Sequence, residues 1–504
     1  MGARMRAKNL PCHDINPGFT QAPISLSGSE DDKQLTTLGE HLVPPALLKS
    51  ADKKERAVRQ LLGLPIWVIL LLLSLLGATI SLGVVVGNLS KKPICNPPCG
   101  AGQCVFRKTA SDPICLCPDG FSGSACGWRS TRLIESNFSA RDYSHAVFTA
   151  ADLTGSNFSG TLLHGTNLNG AKLNEAILSG AFLEGAHLNG ASMYGAQLDG
   201  TRLNGAFLEE ANLDSVVADD ADFSDAVLNG ANLDSINGNG TVFSGAHLNS
   251  ASLKDSYLQN PVFSGADLSD VNGHGAEFSD AEFNGAIMSG AQLEVAVFHS
   301  ADLSDVDGKN ADLKGVLLDG VILNDADFSE AVLEGAVLQS VTGRDVIFLG
   351  VNLDGANLCD VNFSGGNLSG SKLKAATLTL GDFSGINGEG INAEGAVLSG
   401  SDFSGANLKN ASLKSATLTL GNFSAADLTG VNGEGAVFSG VNCVGAIMNG
   451  LVLFGADLTD ADFSGADITT ALPQLDVDTI CVSGNGFDPF TAEWPLNVLT
   501  CLGL

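Results

Sequence analysis

Large apolar residues recur at every fifth position over most of the chain. The series runs from Leu133 to Ile468 without an insertion, and 59 of its 68 positions hold Leu, Phe, Met, Ile or Tyr. The residue two positions earlier is usually Ala, and the residue two positions later is often Gly. Helices bury residues at intervals of three or four and strands at intervals of two, so neither element alone explains this period. The pattern indicates a repeat protein.

The five-residue unit resembles the pentapeptide-repeat family. A typical unit reads Ala151-Asp152-Leu153-Thr154-Gly155, and such units fill about two thirds of the chain. The resemblance implies an all-β solenoid, a right-handed quadrilateral β-helix with four units per coil. Its central apolar residue and the preceding small residue would point inward. We expect residues 131–470 to form about 17 coils of this kind.

The phenylalanines support a coil of four units. Of 17 Phe at central positions, nine share one register, whereas the register two units away holds none. An alternation of two units would have filled both registers, so four units per coil is the better explanation. We therefore expect aromatic rings to stack in one column of the core. The nine are Phe223, Phe243, Phe263, Phe283, Phe363, Phe383, Phe403, Phe423 and Phe463.

Outward positions also repeat every four units and predict two ordered surfaces. The first carries hydroxyls beside acidic and amide side chains, and we interpret it as the candidate binding face. Its named members are Ser364, Ser384, Ser404, Ser424, Asp382 and Asp402. The second alternates in charge, as in Lys374, Glu394, Lys414 and Glu434. Opposite charges on neighbouring strands attract, although each exposed pair contributes only about 0.2–1 kcal/mol.

Glycine replaces the central apolar residue at six positions. These are Gly238, Gly273, Gly308 and Gly343, which are seven units apart, and Gly388 and Gly433, which follow at intervals of nine units. Neither interval is a multiple of four units, so the glycines must move around the four sides. We expect each to leave a local packing defect.

The segment before the repeats predicts a membrane anchor. Residues 61–87 contain no charge and are long enough to cross roughly 30 Å of hydrocarbon. Residues 1–58 read as a mostly disordered tail, and this length favours an uncleaved signal anchor over a cleaved signal peptide. Five Lys and Arg residues lie between Lys49 and Arg59, against Lys91 and Lys92 on the other side. This imbalance places the N-terminus in the cytoplasm and the repeats outside it.

Six cysteines between residues 95 and 126 indicate an oxidising compartment. They are Cys95, Cys99, Cys104, Cys115, Cys117 and Cys126, and their number alone allows 15 disulfide pairings. The segment, with CLCPDGFSGSAC at its end, resembles an EGF-like module. That resemblance implies the pairs Cys95–Cys104, Cys99–Cys115 and Cys117–Cys126. The residues just ahead of the first cysteine are Lys91, Lys92 and Pro93 where a calcium-binding version would carry acidic residues, so no bound calcium is expected.

The C-terminal segment 471–504 abandons the five-residue phase. An open solenoid end exposes unpaired strand edges, so we interpret this segment as a cap. Cys481 and Cys501 are a candidate disulfide within it. In the repeats, Cys443 occupies a core position and predicts a buried thiol, whereas Cys359 is expected at the surface.

The acidic excess belongs to the repeats. The formal net charge is −30, and residues outside 129–470 carry 13 acidic and 13 basic side chains that cancel. Such a surface repels nucleic acid. No catalytic constellation, metal site or cofactor motif is identifiable, so we expect a non-enzyme. Seven outward asparagines begin N-x-S/T sequons, although the repeat consensus itself generates that triplet. They are Asn137, Asn157, Asn239, Asn362, Asn367, Asn410 and Asn422.

These features lead to two functional hypotheses. The first is a single-pass cell-surface or endomembrane protein whose rigid acidic ectodomain binds an extracellular protein or glycan, or serves adhesion or surface structure. The alternative is an acidic pentapeptide protein that resembles the DNA duplex and inhibits a topoisomerase. The predicted topology disfavours the alternative.

Overall fold

The computed structural model of the chain describes residues 103–106, 113–116, 133–476, 478–482 and 501–503. The predicted tail (1–58) and membrane segment (61–87) lie outside these residues. Within the described ranges, no helix is long and apolar enough to cross a membrane.

A short hairpin lies within the cysteine-rich segment. Strand β1 (Gln103–Phe106) pairs antiparallel with β2 (Pro113–Leu116), with Cys104 opposite Cys115 in the register. The other residues of the predicted EGF-like module, 95–126, lie outside the described part of the chain. The module and its three implied disulfides remain predictions.

The repeats form a β-solenoid with four five-residue units in each coil. Parallel bridges join the residue before each central position to its equivalent four units later, from Asn137 with Asn157 to Ile447 with Asp467. On one side two bridges lengthen into strands β3 (Asn237–Asn239) and β4 (Tyr257–Gln259), which pair in parallel. The coil length inferred from the phenylalanines is confirmed.

Each five-residue unit makes one bridge and one turn. Phe403 N–H donates to the carbonyl of Asn422 on the next coil (2.7 Å), and Asn422 N–H donates back to Ser401 (2.9 Å). The chain then turns, and Ala406 N–H donates to the Phe403 carbonyl across Gly405, whose φ is +67°. A positive φ at this position is typical of a type II turn and explains the frequent glycine.

The core is filled by the central residues and the small residues before them. From Leu153 to Phe463 the apolar central side chains are almost completely buried. Phe223, Phe243, Phe263 and Phe283 stack with ring centroids 4.8–5.0 Å apart, nearly parallel. The predicted aromatic column is therefore confirmed in this segment and again from Phe383 through Phe403 to Phe423, whose ring centroids are 4.8–5.0 Å apart. The column is interrupted elsewhere, since Phe363 meets Phe383 edge-on.

The expected packing defects at the core glycines are absent, and that prediction was wrong. A Cβ atom at Gly308 would lie 2.3 Å from the ring of Phe328 on the next coil. At Gly273 it would lie 2.7 Å from Leu293, and at Gly388 2.9 Å from Leu408. Large side chains lean into the space beside these three glycines, and the Thr241 hydroxyl and the Ala218 carbonyl fill the space beside Gly238. Close packing therefore requires these glycines. As expected, they lie on different sides of the coil from one glycine to the next.

The C-terminal segment pairs with the last coils at a changed spacing. Gln474 bridges Val452 and Ile480 bridges Asp457, and both separations are longer than one regular coil. Thr479 Oγ1 donates to the Leu453 carbonyl (2.9 Å). Cys481 and Cys501 are joined by a disulfide, with Cα atoms 4.8 Å apart. Backbone groups at the end of the repeats thereby gain partners.

Candidate functional site

The serine face forms many of its own hydrogen bonds. Ser364 Oγ donates to Asn362 Oδ1 (2.8 Å), and Ser404 N–H donates to Asp402 Oδ1 (2.8 Å). Similar backbone bonds link Ser384 to Asp382 and Ser424 to Asn422. These are Asx turns, in which Asp or Asn accepts a bond from the backbone two residues later. The Asp/Asn-apolar-Ser pattern therefore stabilises the turn as well as occupying the surface.

The same bonds lower several carboxyl pKa values. The Ser464 hydroxyl and backbone N–H both donate to Asp462, and they lower the pKa of that carboxyl. Asp327 is partly buried, which alone would raise its pKa. Bonds from Ser329 and Lys309 outweigh burial and hold the pKa below its ordinary value. Carboxylates at these turns are thus stabilised in the charged form.

The charge-alternating column forms ion pairs between successive coils. Lys374 Nζ lies 3.3 Å from Glu394 Oε2, and Lys414 Nζ lies 3.1 Å from Glu434 Oε2. The side chains in these pairs are 43–48% exposed. Their arrangement is as predicted, and their exposure means that each contributes little to stability. We call Lys374, Glu394, Lys414 and Glu434 the charged column.

Three aspartates occupy the same turn position on successive coils. Asp305, Asp325 and Asp345 are exposed and have φ values of +56° to +58°. Equivalent turns of successive coils are one strand spacing apart, about 4.8 Å, so the three like charges form one row. Like charges that face each other across strands are destabilising. We call these residues the aspartate column.

Coils 371–440 present one side without any charge. Its centre holds Thr377, Val397, Thr417 and Val437, and its corner holds Leu380, Gly400, Leu420 and Gly440. Leu380 is 44% exposed and Leu420 66% exposed. Both leucines have positive φ, +62° and +60°, where glycine or asparagine is favoured. We call these eight residues the uncharged face.

A shallow hollow of about 500 Å³ opens beside another turn, lined by Asn189, Gly190, Glu209, Glu210 and Asn229. Asn189 Nδ2 donates to Glu209 Oε2 (2.7 Å), and Asn229 Oδ1 is buried without a hydrogen-bond partner.

Among the described residues, no group of three or more His, Cys, Asp or Glu side chains is placed to hold a metal ion.

The two cysteines of the repeats are both buried. Cys443 lies in the core as expected, and burial raises the pKa of its thiol. Cys359 is also completely buried, so the expected surface position was wrong. Thr379 and Ser399, at equivalent positions on the next coils, are buried as well. The column is therefore buried on these three coils, although an outward position was expected for it, and it is partly exposed at Gln339 and at Thr419.

Five of the seven sequon asparagines accept the same kind of turn hydrogen bond. Asn137, Asn239 and Asn410 are exposed, and the other four are partly exposed. In Asn137, Asn157, Asn362 and Asn367, Oδ1 accepts the hydroxyl of the sequon serine. The turn thus explains these four sequons, and glycosylation of all seven remains a prediction.

Sequence reasoning missed the aspartate column and the uncharged face. Both had a signal, namely Asp at every fourth turn and the tetrapeptide TLTL at 377–380 and again at 417–420. The five-residue period is carried by the central apolar residues. These two surface features depend instead on the residues one before and two after each central residue, compared between neighbouring coils.

Solved structures similar to the chain include several pentapeptide-repeat proteins. Rfr23 from the cyanobacterium Cyanothece 51142 is 26% identical over 21% of this chain and 62% of its own, with a TM-score of 0.14. HetL from the cyanobacterium Nostoc sp. strain PCC 7120 is 22% identical over 58% and 91%, with a TM-score of 0.11. Full-length QnrB1, a plasmid-mediated fluoroquinolone resistance protein, is 17% identical over 48% and 93%, with a TM-score of 0.18. The match thus spans less than two thirds of Rfr23.

A family comparison covers far more of the chain. No match was found among curated proteins. The family model described as Pentapeptide repeats (8 copies) matches overlapping segments between residues 131 and 472, well over half of the chain. Its extent coincides with the regular coils. The chain therefore belongs to the pentapeptide-repeat family.

Proposed function

We propose that the solenoid is a non-catalytic binding scaffold whose acidic surface takes a positively charged region of a partner protein. The aspartate column carries this proposal. Asp305, Asp325 and Asp345 are exposed, adjacent and alike in charge, so each destabilises the next. A cationic partner would neutralise this repulsion on binding, and its own charges would be attracted over a long distance.

The turn itself does not need these charges. Asn310 and Asn410 occupy equivalent turn positions with φ values of +58° and +57°. Asparagine tolerates the left-handed conformation about as well as aspartate. Three successive aspartates therefore add charge at a position where an amide would serve the backbone equally well. Such an excess of charge is what a binding surface for a cation requires.

We further propose that the scaffold is displayed outside the cytoplasm on a single-pass anchor. The support is the uncharged segment 61–87, the basic residues before it and the six cysteines at 95–126. The partner would then be an extracellular protein with a basic patch. A glycan is the less favoured ligand, because an acidic column repels sialylated or sulfated sugars.

The main experiment is a binding screen followed by matched variants. The full chain is screened against extracellular proteins and glycans, and each specific ligand is retested with Asp305→Asn/Asp325→Asn/Asp345→Asn. The control is Asp225→Asn/Asp255→Asn/Asp270→Asn, which changes the same number of charges at isolated turns of the same type. Loss of affinity in the first variant alone supports the proposal. Equal binding by both variants and the unsubstituted chain contradicts it.

A second candidate function is inhibition of a topoisomerase by resemblance to DNA. The observation that favours it is the net charge of −30, carried by the stacked coils. Digestion of sealed membranes distinguishes the two. Cleavage of the repeats by protease added from the cytoplasmic side would support the topoisomerase alternative, and protection of the repeats would support the extracytoplasmic proposal.

A further inference from the structure

The uncharged face is unusual in a chain of this charge. It crosses four successive coils, and no Asp, Glu, Lys or Arg occurs at 375–380, 395–401, 415–421 or 435–440. Its two leucines are exposed at turn positions whose positive φ suits glycine. Leu380 lies over Gly400 of the next coil, with its Cδ2 atom 3.0 Å from the point where a Cβ on that glycine would lie. Exposed leucines in a strained backbone conformation indicate a surface that is covered in the working state.

We propose that two copies of the chain associate antiparallel through this face. A two-fold axis in the interface, perpendicular to the stacking direction, reverses the order of the coils and leaves each column facing itself. We place the axis between the coils of Gly400 and Leu420. The pattern of the face is then complementary to its own reverse, as three independent columns show.

The first column is the corner of leucines and glycines. Along the stack it reads Leu380, Gly400, Leu420, Gly440, and its reverse reads glycine wherever the original reads leucine. Leu380 would face Gly440 of the second copy, and Leu420 would face Gly400. Leu380 and Leu420 lie over Gly400 and Gly440 of their own chain, so the leucines of the two copies would contact each other where each faces a glycine. A shift of the axis by one coil toward the N-terminus would instead place Leu420 opposite the turn aspartate Asp360.

The charged column gives the same answer. Reversal turns Lys374, Glu394, Lys414, Glu434 into its charge complement, so every lysine would face a glutamate of the second copy. The existing Lys374–Glu394 and Lys414–Glu434 pairs would join into one network at the rim. Such charges determine register and orientation more than affinity.

The opposite rim contains the third column, and it avoids like charges. Asp382 and Asp402 would face Asn442 and Asn422 of the second copy. A parallel pair of chains, with the axis along the stack, would instead set the leucine corner against the charged column. Apolar groups would then desolvate charges without compensation. Only the antiparallel arrangement satisfies all three columns.

The area of the face defines the strength of the association. Four coils span about 19 Å along the stack at the strand spacing. One side of that length has a smaller area than the roughly 800 Å² that each partner buries in a standard interface. Self-association is therefore weak and depends on concentration. It is independent of the proposed partner at the aspartate column, which lies on other coils.

Cross-linking of the full chain tests the arrangement. Thr377→Cys and Val437→Cys are prepared as separate single variants, since these two positions would face each other across the axis. A short thiol cross-linker should join copies in a mixture of the two variants and leave each single variant at the background of the unsubstituted chain. Efficient cross-linking of either single variant alone would overturn the antiparallel register, because each residue would then face itself. Absence of cross-linking in the mixture would overturn the proposal altogether.

A charge series tests the same idea without cysteines, by sedimentation at increasing concentration. Lys374→Glu/Lys414→Glu sets glutamates against glutamates and should weaken self-association at least about tenfold. Adding Glu394→Lys and Glu434→Lys restores complementarity and should restore self-association. The restored variant should not associate with the unsubstituted chain, since lysine then faces lysine. Failure of the restored variant to self-associate, with its unfolding midpoint unchanged, would contradict the proposal.

Discussion

The aspartate column and the uncharged face are built on the same backbone and present opposite surfaces. Both use turn positions with φ near +60°, and both lie over cores of buried Phe and Leu side chains. One places a charge at the same turn of three successive coils, and the other alternates leucine with glycine from coil to coil. The backbone thus restricts the turn position to a conformation and leaves its chemistry free. Differences along the solenoid surface are therefore not dictated by the backbone conformation of the turn.

The first prediction concerns one buried phenylalanine in the core of each region. Phe403 is buried in the coils that carry the uncharged face, and Phe328 is buried in the coils of the aspartate column, so each is replaced by alanine. Each replacement should lower the free energy of unfolding by about 3–5 kcal/mol, because a buried ring leaves a cavity. Urea unfolding of both variants measures the losses. A large difference between the two would show that surface chemistry contributes to the stability of the coils.

The second prediction concerns a glycine beside the aspartate column. Gly308→Ala places a Cβ 2.3 Å from the ring of Phe328 and should cost about 1–3 kcal/mol through overpacking. A true packing defect would instead be filled and stabilised by the added methyl group. The unfolding midpoint distinguishes the two. The control repeats Gly308→Ala in a Phe328→Leu background, where the ring is gone and the added cost should be smaller.

The third prediction sharpens the comparison at a turn. Leu420→Asn exchanges a strained, largely exposed leucine for a residue that tolerates positive φ. We expect the free energy of unfolding to rise by about 1 kcal/mol, while self-association becomes weaker. Thermal unfolding at low concentration measures the first effect, and sedimentation measures the second. A fall in both would mean that Leu420 stabilises its own coil.

The sequence predicted the interior of this protein much better than its surface. Phe403, Phe423 and their equivalents reveal the coil because one buried position dominates each unit and repeats without insertion. The six glycines were misread, since no local rule says that Phe328 leans into the space beside Gly308. Cys359 was misplaced for a related reason, because its burial depends on the neighbouring coils. Surface columns require the coil length first, and only then do Asp305 and Asp325 become neighbours.

The fourth prediction is a pH dependence of stability that arises from one carboxylate, Asp327, in the coils of the aspartate column. Burial would raise the pKa of Asp327, but bonds from Ser329 and Lys309 outweigh it and lower that pKa. The carboxylate therefore stabilises the fold above the unfolded pKa of about 4, and this contribution is lost as the pH falls through the lower folded pKa. Asp327→Asn should reduce stability at neutral pH and have less effect at a pH of about 2–3. A constant difference in unfolding free energy across this range would show that the charge of Asp327 is not responsible.

The smallest expected effect isolates the repulsion within the aspartate column. Asp305→Asn/Asp325→Asn/Asp345→Asn should raise the free energy of unfolding by about 0.2–1 kcal/mol for each adjacent pair removed, since the turns are preserved. Asp225→Asn/Asp255→Asn/Asp270→Asn changes the net charge equally at isolated turns, so the difference between the two variants measures neighbour repulsion alone. That difference should shrink as salt is added, because exposed charges are screened within about 8 Å at physiological ionic strength. Equal stabilities at every salt concentration would mean that the three aspartates do not repel each other, and the main argument for a cationic partner would fail.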